Sequence, residues 1–234
     1  MKIVSWNCNM ALRNKWPRLA QLDADIFVIQ ECAHADIQAI ESNVGLQSFW
    51  MGSNKHKGLG LVVRHPFKVE AFEDTGLTWI ASAKISGPES LRLFPVWTGI
   101  PKHDRSQRYI RQIHQLIDRL EKDRDFGSTV IVGDFNSNTI WDKEHGERSH
   151  SKAVERLKAL GITSSFHTSA SMEHGSENQS APTIYFRKNR TLPYHIDYCF
   201  VSDDLQSRLQ TVDIGKYDDW HSLSDHMPLT VVFK

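Results

Sequence analysis

The chain carries no net charge: 28 Lys and Arg are matched by 28 Asp and Glu over 234 residues. No global field therefore draws it onto nucleic acid or a membrane, and a nucleic-acid substrate would need a local basic patch. Cysteine is scarce. Cys8, Cys32 and Cys199 lie in or beside apolar runs, are odd in number and lack zinc-type spacing. That excludes a disulfide framework and points to buried free thiols in a reducing compartment. No apolar run approaches the roughly 18 residues of a membrane span. Met1–Trp6 reads directly as a strand, with no leader pattern, so a cytoplasmic setting without membrane partner is expected. No Pro/Ser/Gly-rich linker or short repeat divides the chain, and no segment demands an obligate protein partner. Residues 1–234 are expected to form one domain with ample length for a core.

Present instead are many short strand-like runs: Ile3–Asn7, Ile26–Glu31, Gly60–Arg64, Val69–Phe72, Trp79–Ile85, Leu91–Thr98, Thr129–Asp134, Ile196–Val201 and Pro228–Phe233. His65-Pro66 and the segment Ser86–Ser90 are turn signals that predict antiparallel hairpins. Ile110, Ile113, Leu116, Ile117 and Leu120 recur at helical spacing and predict a helix over about 104–123. Val154, Leu157 and Leu160 predict another over 149–160, stopped at Gly161. Short helices are expected after Trp16 and after His34. The mixture predicts an α/β architecture, sheet packed on sheet with helices outside. The polar stretch 167–180 reads as a mobile surface loop beside the site.

Acids, amides and histidines recur at the strand ends. Asp134 and Asn136 follow a buried run and, on an extended chain, would share a face where they could hold a water and a phosphate oxygen. The plainer alternative is an Asx turn. Glu31 caps an apolar strand, where it reads either as a solvated strand end or as a donor to a hard metal, since Mg²⁺ prefers oxygen ligands. Asn7 ends the first strand, with Asn9 two residues on. Asp197 could orient a histidine, and His226 is the partner expected for it. Asp225 could ligate metal or orient water. His195 reads as a satisfied, partly buried histidine. Trp97, Trp141 and Trp220 lie near these segments. Trp141, in an apparent loop, is the best candidate to stack a nucleobase, worth about 1–3 kcal/mol per base. Lys55, His56 and Lys57 could line a phosphate groove or form a solvated turn.

Taken in order, the motifs Trp6-Asn7, Gln30-Glu31, a central helix carrying Arg108 and Gln112, Gly133-Asp134-Phe135-Asn136, His195-Ile196-Asp197-Tyr198 and Ser224-Asp225-His226 resemble the endonuclease/exonuclease/phosphatase (DNase I-like) superfamily over nearly the whole chain. The resemblance implies a four-layered α/β sandwich of two mostly antiparallel sheets flanked by helices, with the site at one edge between the sheets. It implies Glu31, with Asn7 and Asp225, as ligands of Mg²⁺ (or Mn²⁺). Asp134 would activate water, Asn136 would hold a phosphate oxygen, and Asp197 would pair with His226. Asn9, Arg108, Tyr109 and Trp141 are the candidate substrate contacts. Two positions depart from the pattern. Asn9 replaces a usual aspartate, and Gly99 falls where a histidine or tyrosine often stands, leaving Lys102, His103 or Tyr109 as substitute donors to the leaving group.

The function expected is a metal-dependent phosphodiester hydrolase acting on nucleic acid or a nucleotide-containing phosphodiester by in-line attack of an activated water. Its alternatives are a phosphatase or phosphodiesterase for a small phosphorylated molecule or lipid headgroup, and a catalytically weak phosphate-binding module.

Overall fold

Near-continuous apolar runs such as Ile26–Ile29 and Val130–Val132 have no polar face to offer solvent, so they become central strands covered on both sides. The computed structural model describes residues 1–44, 46–77, 79–123 and 127–234, and only the backbone of 43 and 44. The first half runs β1 (Lys2–Asn7), α1 (Leu12–Ala20), β2 (Ile26–Cys32), α2 (His34–Val44), β3 (Gln47–Asn54), β4 (Lys57–Val63), β5 (Lys68–Leu77), β6 (Ile80–Ser86), β7 (Leu91–Trp97) and α3 (Ile110–Leu120). It continues with β8 (Thr129–Asp134), α4 (Asp142–His145), α5 (His150–Ala159), β9 (Ile162–Ser164), α6 (Ser165–Ala170), β10 (Ile184–Tyr185) and β11 (Pro193–Tyr194). The chain closes with β12 (Asp197–Ser202), α7 (Asp203–Gln206), β13 (Leu209–Ile214), α8 (Tyr217–Trp220) and β14 (Leu229–Phe233).

Two six-stranded sheets result, ordered β13-β14-β1-β2-β4-β3 and β9-β12-β8-β7-β6-β5. Read in these directions they share one pairing pattern. The central pair is parallel (β1 with β2, β8 with β7) and every other neighbour is antiparallel. Ile3, Val28, Leu61, Leu93, Val132 and Cys199 belong to the apolar layer between the sheets. Ile113, Leu116, Ile117 and Leu157 seat α3 and α5 on the outer face of one sheet, and Leu12, Leu19, Ile37 and Ile40 seat α1 and α2 on the other. The DNase I-like four-layered sandwich expected from the sequence is the fold observed. No described helix is long and apolar enough to cross a membrane, and all three cysteines are free and buried.

Several local expectations change. The turn at His65-Pro66 does not close a hairpin: β4 and β5 belong to different sheets, and the turn carries the chain from one to the other. The Ser86–Ser90 turn does close one, between β6 and β7. The strands β3, β9 and β13 carry no sequence signal strong enough to anticipate, and all three are sheet edges, where one partner is missing and polar residues are tolerated. The helix after Asp104 begins only at Ile110, because Asp104 instead caps a 3₁₀ turn through Ser106 N (2.9 Å) and Tyr109 sits at φ 51°. The first helix spans Leu12–Ala20 rather than following Trp16, whose ring packs edge-on to Phe27 at 5.2 Å. The segment expected as a mobile surface loop over 167–180 is partly helical (α6) and anchored, with Glu177 and Asn178 buried.

Gly133 sits where Gln30 of one sheet reaches the β7–β8 pair of the other. At φ 147° a Cβ would lie 1.9 Å from Val96 O and 2.9 Å from Gln30 Nε2, so only glycine lets Gln30 reach across to Val96 O at 3.2 Å. Gly133→Ala should therefore lower stability by about 2 kcal/mol or more, measured as a fall in the urea midpoint. An unchanged midpoint would show that the sheets can part there freely.

Candidate active site at the paired sheet ends

The pairing pattern explains why distant polar residues meet. Strands β1 and β2 are parallel, so Asn7 and Glu31 leave the sheet at the same end, and β14 runs antiparallel to β1, so the segment entering it, Asp225-His226, starts there too. In the other sheet Asp134 ends β8 and stands opposite Asp197, which opens the antiparallel β12. The two ends join where Asn7 Nδ2 donates to Asp134 Oδ2 at 3.0 Å.

Asp134 is buried and accepts three hydrogen bonds, two of them at Oδ2. Asn136 N donates to its Oδ1 at 2.8 Å and Asn136 Nδ2 to its Oδ2 at 2.9 Å. Asn136 reaches back because its backbone is left-handed, φ 44°, so the Asx turn and the shared site are one feature. Its amide also donates to Thr98 O at 2.9 Å. Both amide hydrogens are thus committed, and Asn136 can hold a phosphate oxygen only by releasing one of them. Burial pushes the Asp134 carboxyl up to about 7, reinforced by Asp197 and opposed by His226 and the Asn7 amide.

His226 Nδ1 lies 2.9 Å from Asp197 Oδ2, and its Nε2 faces Asp134 Oδ2 at 4.0 Å. Burial alone would strip the proton from this ring, but the adjoining Asp197 carboxylate, helped by Asp134 and Asp225, outweighs it and raises the imidazole to about 10. The ring is fixed by its own backbone: Trp6 Nε1 donates to His226 O at 2.9 Å, and His226 N to Ser224 Oγ at 3.1 Å. Ser224 Oγ in turn donates to Asn7 O at 2.7 Å, which ties the Ser-Asp-His segment to β1. Asp197 N donates to Thr183 Oγ1 at 3.0 Å, while Asp197 Oδ1 is buried without a partner.

Glu31 is the extra residue of a β-bulge. Gln30 pairs with Leu59 and Cys32 with Gly58, and Glu31 between them adopts φ 61°. The bulge turns a side chain at a sheet end into the pocket. Its Oε2 accepts from Lys57 Nζ at 2.9 Å. Asn9 Nδ2 donates to Asp225 Oδ1 at 3.0 Å and Asn9 N to Asn7 Oδ1 at 3.1 Å, so Asn9 holds two proposed ligands in place. Asn9, Met10 and Ala11 are all at positive φ, backbone strain of the kind that gathers at functional sites. Lys57 and Lys15, whose Nζ donates to Cys8 O at 2.6 Å and Asn9 O at 3.1 Å, supply local positive charge that the neutral chain lacks globally.

One pocket is lined by Asn7, Glu31, Tyr109, Asp134, Asn136, Trp141, Asp225 and His226. It gathers eight of the residues singled out in the sequence. Asp197 stands behind His226, and Asn9 behind Asp225. Arg108 is not in the lining, although its charge helps depress the neighbouring His145 imidazole, after burial. Gln112 is buried and donates to Gly99 O and Gln107 O, both at 2.9 Å, an architectural role. Of the three substitute donors near Gly99, Tyr109 alone enters the lining. Trp220 is a core residue packed edge-on against Trp6, and Trp97 lies under Lys57. The sequence reading missed Glu144, His145, Ile184, Phe186, Tyr194 and Ile196 in the wall. Glu144 and His145 follow Trp141 closely. Tyr194 belongs to a ribbon of two two-residue strands and Phe186 directly follows its other strand, which leaves no periodic signal.

Does this donor set suit a hard divalent cation? The carboxylates of Glu31 and Asp225 and the Asn7 amide are oxygen donors on one pocket, and the orphaned Asp197 Oδ1 behind them adds negative potential. Asp134, Asp197 and His226 also place one ligand atom each within 4.8 Å of one another. The residues fit such an ion.

The model of the Endonuclease/Exonuclease/phosphatase family matches residues 4–226. The chain belongs to that family. Solved structures agree in fold: the catalytic domain of Xenopus laevis APE2 superimposes with TM-score 0.76 at 18% identity, covering 100% of this chain and 92% of that one. An AP endonuclease from Archaeoglobus fulgidus gives 0.71 at 19%, covering 100% and 99%. A 3′ phosphatase from Neisseria, NExo, bound to a product DNA hairpin, gives 0.69 at 22%, covering 100% and 99%. No curated protein matches the chain in sequence.

The Asp197–His226 pair yields a direct check on this family site. Asp197→Asn removes the charge that outweighs burial, so the His226 imidazole should titrate far below its wild-type range in metal-free protein, measured by NMR. A titration point left unchanged would mean that Asp197 does not hold the proton on His226.

Proposed function

We propose that the protein is a Mg²⁺-dependent phosphodiesterase whose substrate is a nucleic acid or a nucleotide-containing phosphodiester. The observation that carries this reading is the convergence, in one pocket, of a hydrogen-bonded buried carboxylate (Asp134), a carboxylate-backed histidine (His226) and hard oxygen donors (Glu31, Asp225) under a wall of aromatic rings. Glu31, Asn7 and Asp225 would hold the ion, with Mn²⁺ able to replace Mg²⁺. Bound there, it supplies charge neutralisation of the phosphate and a lowered pKa for bound water. Glu31 must then exchange its Lys57 partner, freeing an ammonium for the phosphate.

Asp134, raised toward neutrality, orients and accepts the proton of the attacking water, where a base with pKa near the working pH is most effective. His226 presents Nε2 to the phosphoryl oxygens and stays cationic through Asp197, so it stabilises the charge that develops on them. Asn7 and Asn136 hold Asp134 in position. Tyr109, beside Gly99, serves as the donor to the leaving oxygen. Trp141 and Tyr194, with ring centroids 5.5 Å apart, and Phe186, 46% exposed, form a face on which a base can stack. That a family neighbour of the same fold is described as a phosphatase bound to a DNA hairpin supports this substrate class. The whole chain acts as one such domain, and its buried free thiols suit a reducing cytoplasm.

The test is hydrolysis of single- and double-stranded DNA and RNA beside chromogenic phosphodiesters and phosphomonoesters, each with Mg²⁺, Mn²⁺ or EDTA. Nucleic-acid cleavage that requires metal and falls roughly a hundredfold or more in Asp134→Asn is the expected result. Hydrolysis confined to small phosphomonoesters would overturn the substrate class, and none at all would overturn the enzyme.

A further inference from the structure

Twelve histidines are many for this chain, and only one, His226, is required by the site above. Four others, His150, His167, His174 and His195, surround Glu177 on the outer side of β12. Glu177 is fully buried, and among the described residues its only ion-pair partner is His167, with Nε2 3.5 Å from Glu177 Oε2. Asn138 Nδ2 and Gly175 N donate to its carboxylate, and among the described residues no Lys or Arg pairs with it, so His167 is the cation available to it.

The imidazoles around it are incompletely paired. His167 Nε2, His174 Nδ1, His150 Nε2 and His195 Nε2 are all buried and without hydrogen-bond partners. Their opposite nitrogens are engaged on three of the four rings. His167 Nδ1 contacts Ser164 Oγ at 2.8 Å, His150 Nδ1 contacts Ser137 Oγ at 3.2 Å, and His195 Nδ1 contacts Ala181 O at 2.6 Å. The carbonyl contact makes His195 Nδ1 the donor and leaves its Nε2 as the free base, while the two serine hydroxyls, able to donate or accept, hold the His167 and His150 rings in place. One ligand atom from each of His167, His174 and Glu177 lies within 4.8 Å of the others; the His167 and His174 rings are stacked, with centroids 3.6 Å apart, so one ring must turn for both lone pairs to face one ion. Around a tetrahedral zinc with bonds of about 2.0–2.1 Å, ligand atoms stand about 3.3 Å apart, close to the His167–Glu177 separation. A surface cleft lined by His167, His174 and Phe200 gives an ion a way in.

We propose that His167, His174 and Glu177 form a second metal site, selective for a borderline transition ion of the Zn²⁺ type, with His150 or His195 completing the set. Nitrogen-rich donors favour zinc over the hard ions that suit the carboxylate pocket. The site is structural. It pins the segment 171–183, which ends at Thr183, the acceptor of the Ile196 and Asp197 N–H groups. Asn138 links Glu177 (2.8 Å) to His195 O (3.0 Å) and so runs from this site to the loop after Asp134.

The test is metal content of the full chain, dialysed against zinc in excess Mg²⁺ and then desalted. Wild type and Glu31→Gln should each retain about one zinc equivalent, and His174→Ala and His167→Gln should lose it. Zinc retained by both histidine variants, or never retained by wild type, overturns the proposal and leaves a His167–Glu177 ion pair as the occupant. Should the variants misfold, Co²⁺ added to wild type decides: an intense visible absorption of tetrahedral cobalt supports the site, and its absence overturns it.

Discussion

The hydrogen bond from Asn7 to Asp134 joins two sheets that meet mainly through apolar side chains, with Gln30 to Val96 O as a second polar bridge, and the polar site is built outward from the Asn7–Asp134 contact. On one side, Asn7 is the last residue of a strand whose parallel neighbour delivers Glu31 and whose antiparallel neighbour delivers His226. On the other, Asp134 faces Asp197 across the same kind of ladder. Because the sheets repeat one pairing pattern, their like ends coincide, and each contributes carboxylate and amide groups to a single pocket. Gly133 makes the approach close enough for Gln30 and Asn7 to bridge it.

Charge alternates through this junction. Asp197, His226 and Asp134 form a buried minus–plus–minus chain, with Asp225 and Glu31 outside it. Desolvation raises Asp134 while the flanking acids keep His226 protonated despite its burial, so one environment produces both a carboxyl poised near neutrality and a persistent cation. Lys57 shields Glu31, and Asn9, at the place of a usual aspartate, steadies Asp225 rather than adding charge. The structure thereby holds one carboxylate fewer and uses an amide to orient those that remain.

How much of this could be read in the sequence follows from where signals are strong. Central strands such as Ile26–Ile29 and Val130–Val132 are dense apolar runs, and the motifs at their ends (Glu31, Asp134, Asn136, Asp197, His226) were legible and do converge. Edge strands β3, β9 and β13 were not, because an edge can be polar. The His65-Pro66 turn gave a correct position and a wrong partner, since local turn chemistry does not say which sheet follows. Arg108 carried a motif but stays off the pocket. The wall residues Phe186 and Tyr194 come from a ribbon of two-residue strands and its edge, with no pattern, and the histidine cluster draws on residues 150 to 195, scattered over two helices and two connecting segments. Its members look unrelated until the fold places them around Glu177.

If the two sheet ends together build a hard-metal site, diffraction from crystals soaked in Mn²⁺ should show an anomalous peak bonded to the carboxylates of Glu31 and Asp225, with Lys57 withdrawn from Glu31. An intact Glu31–Lys57 pair, with no manganese between the sheets, would contradict such a site.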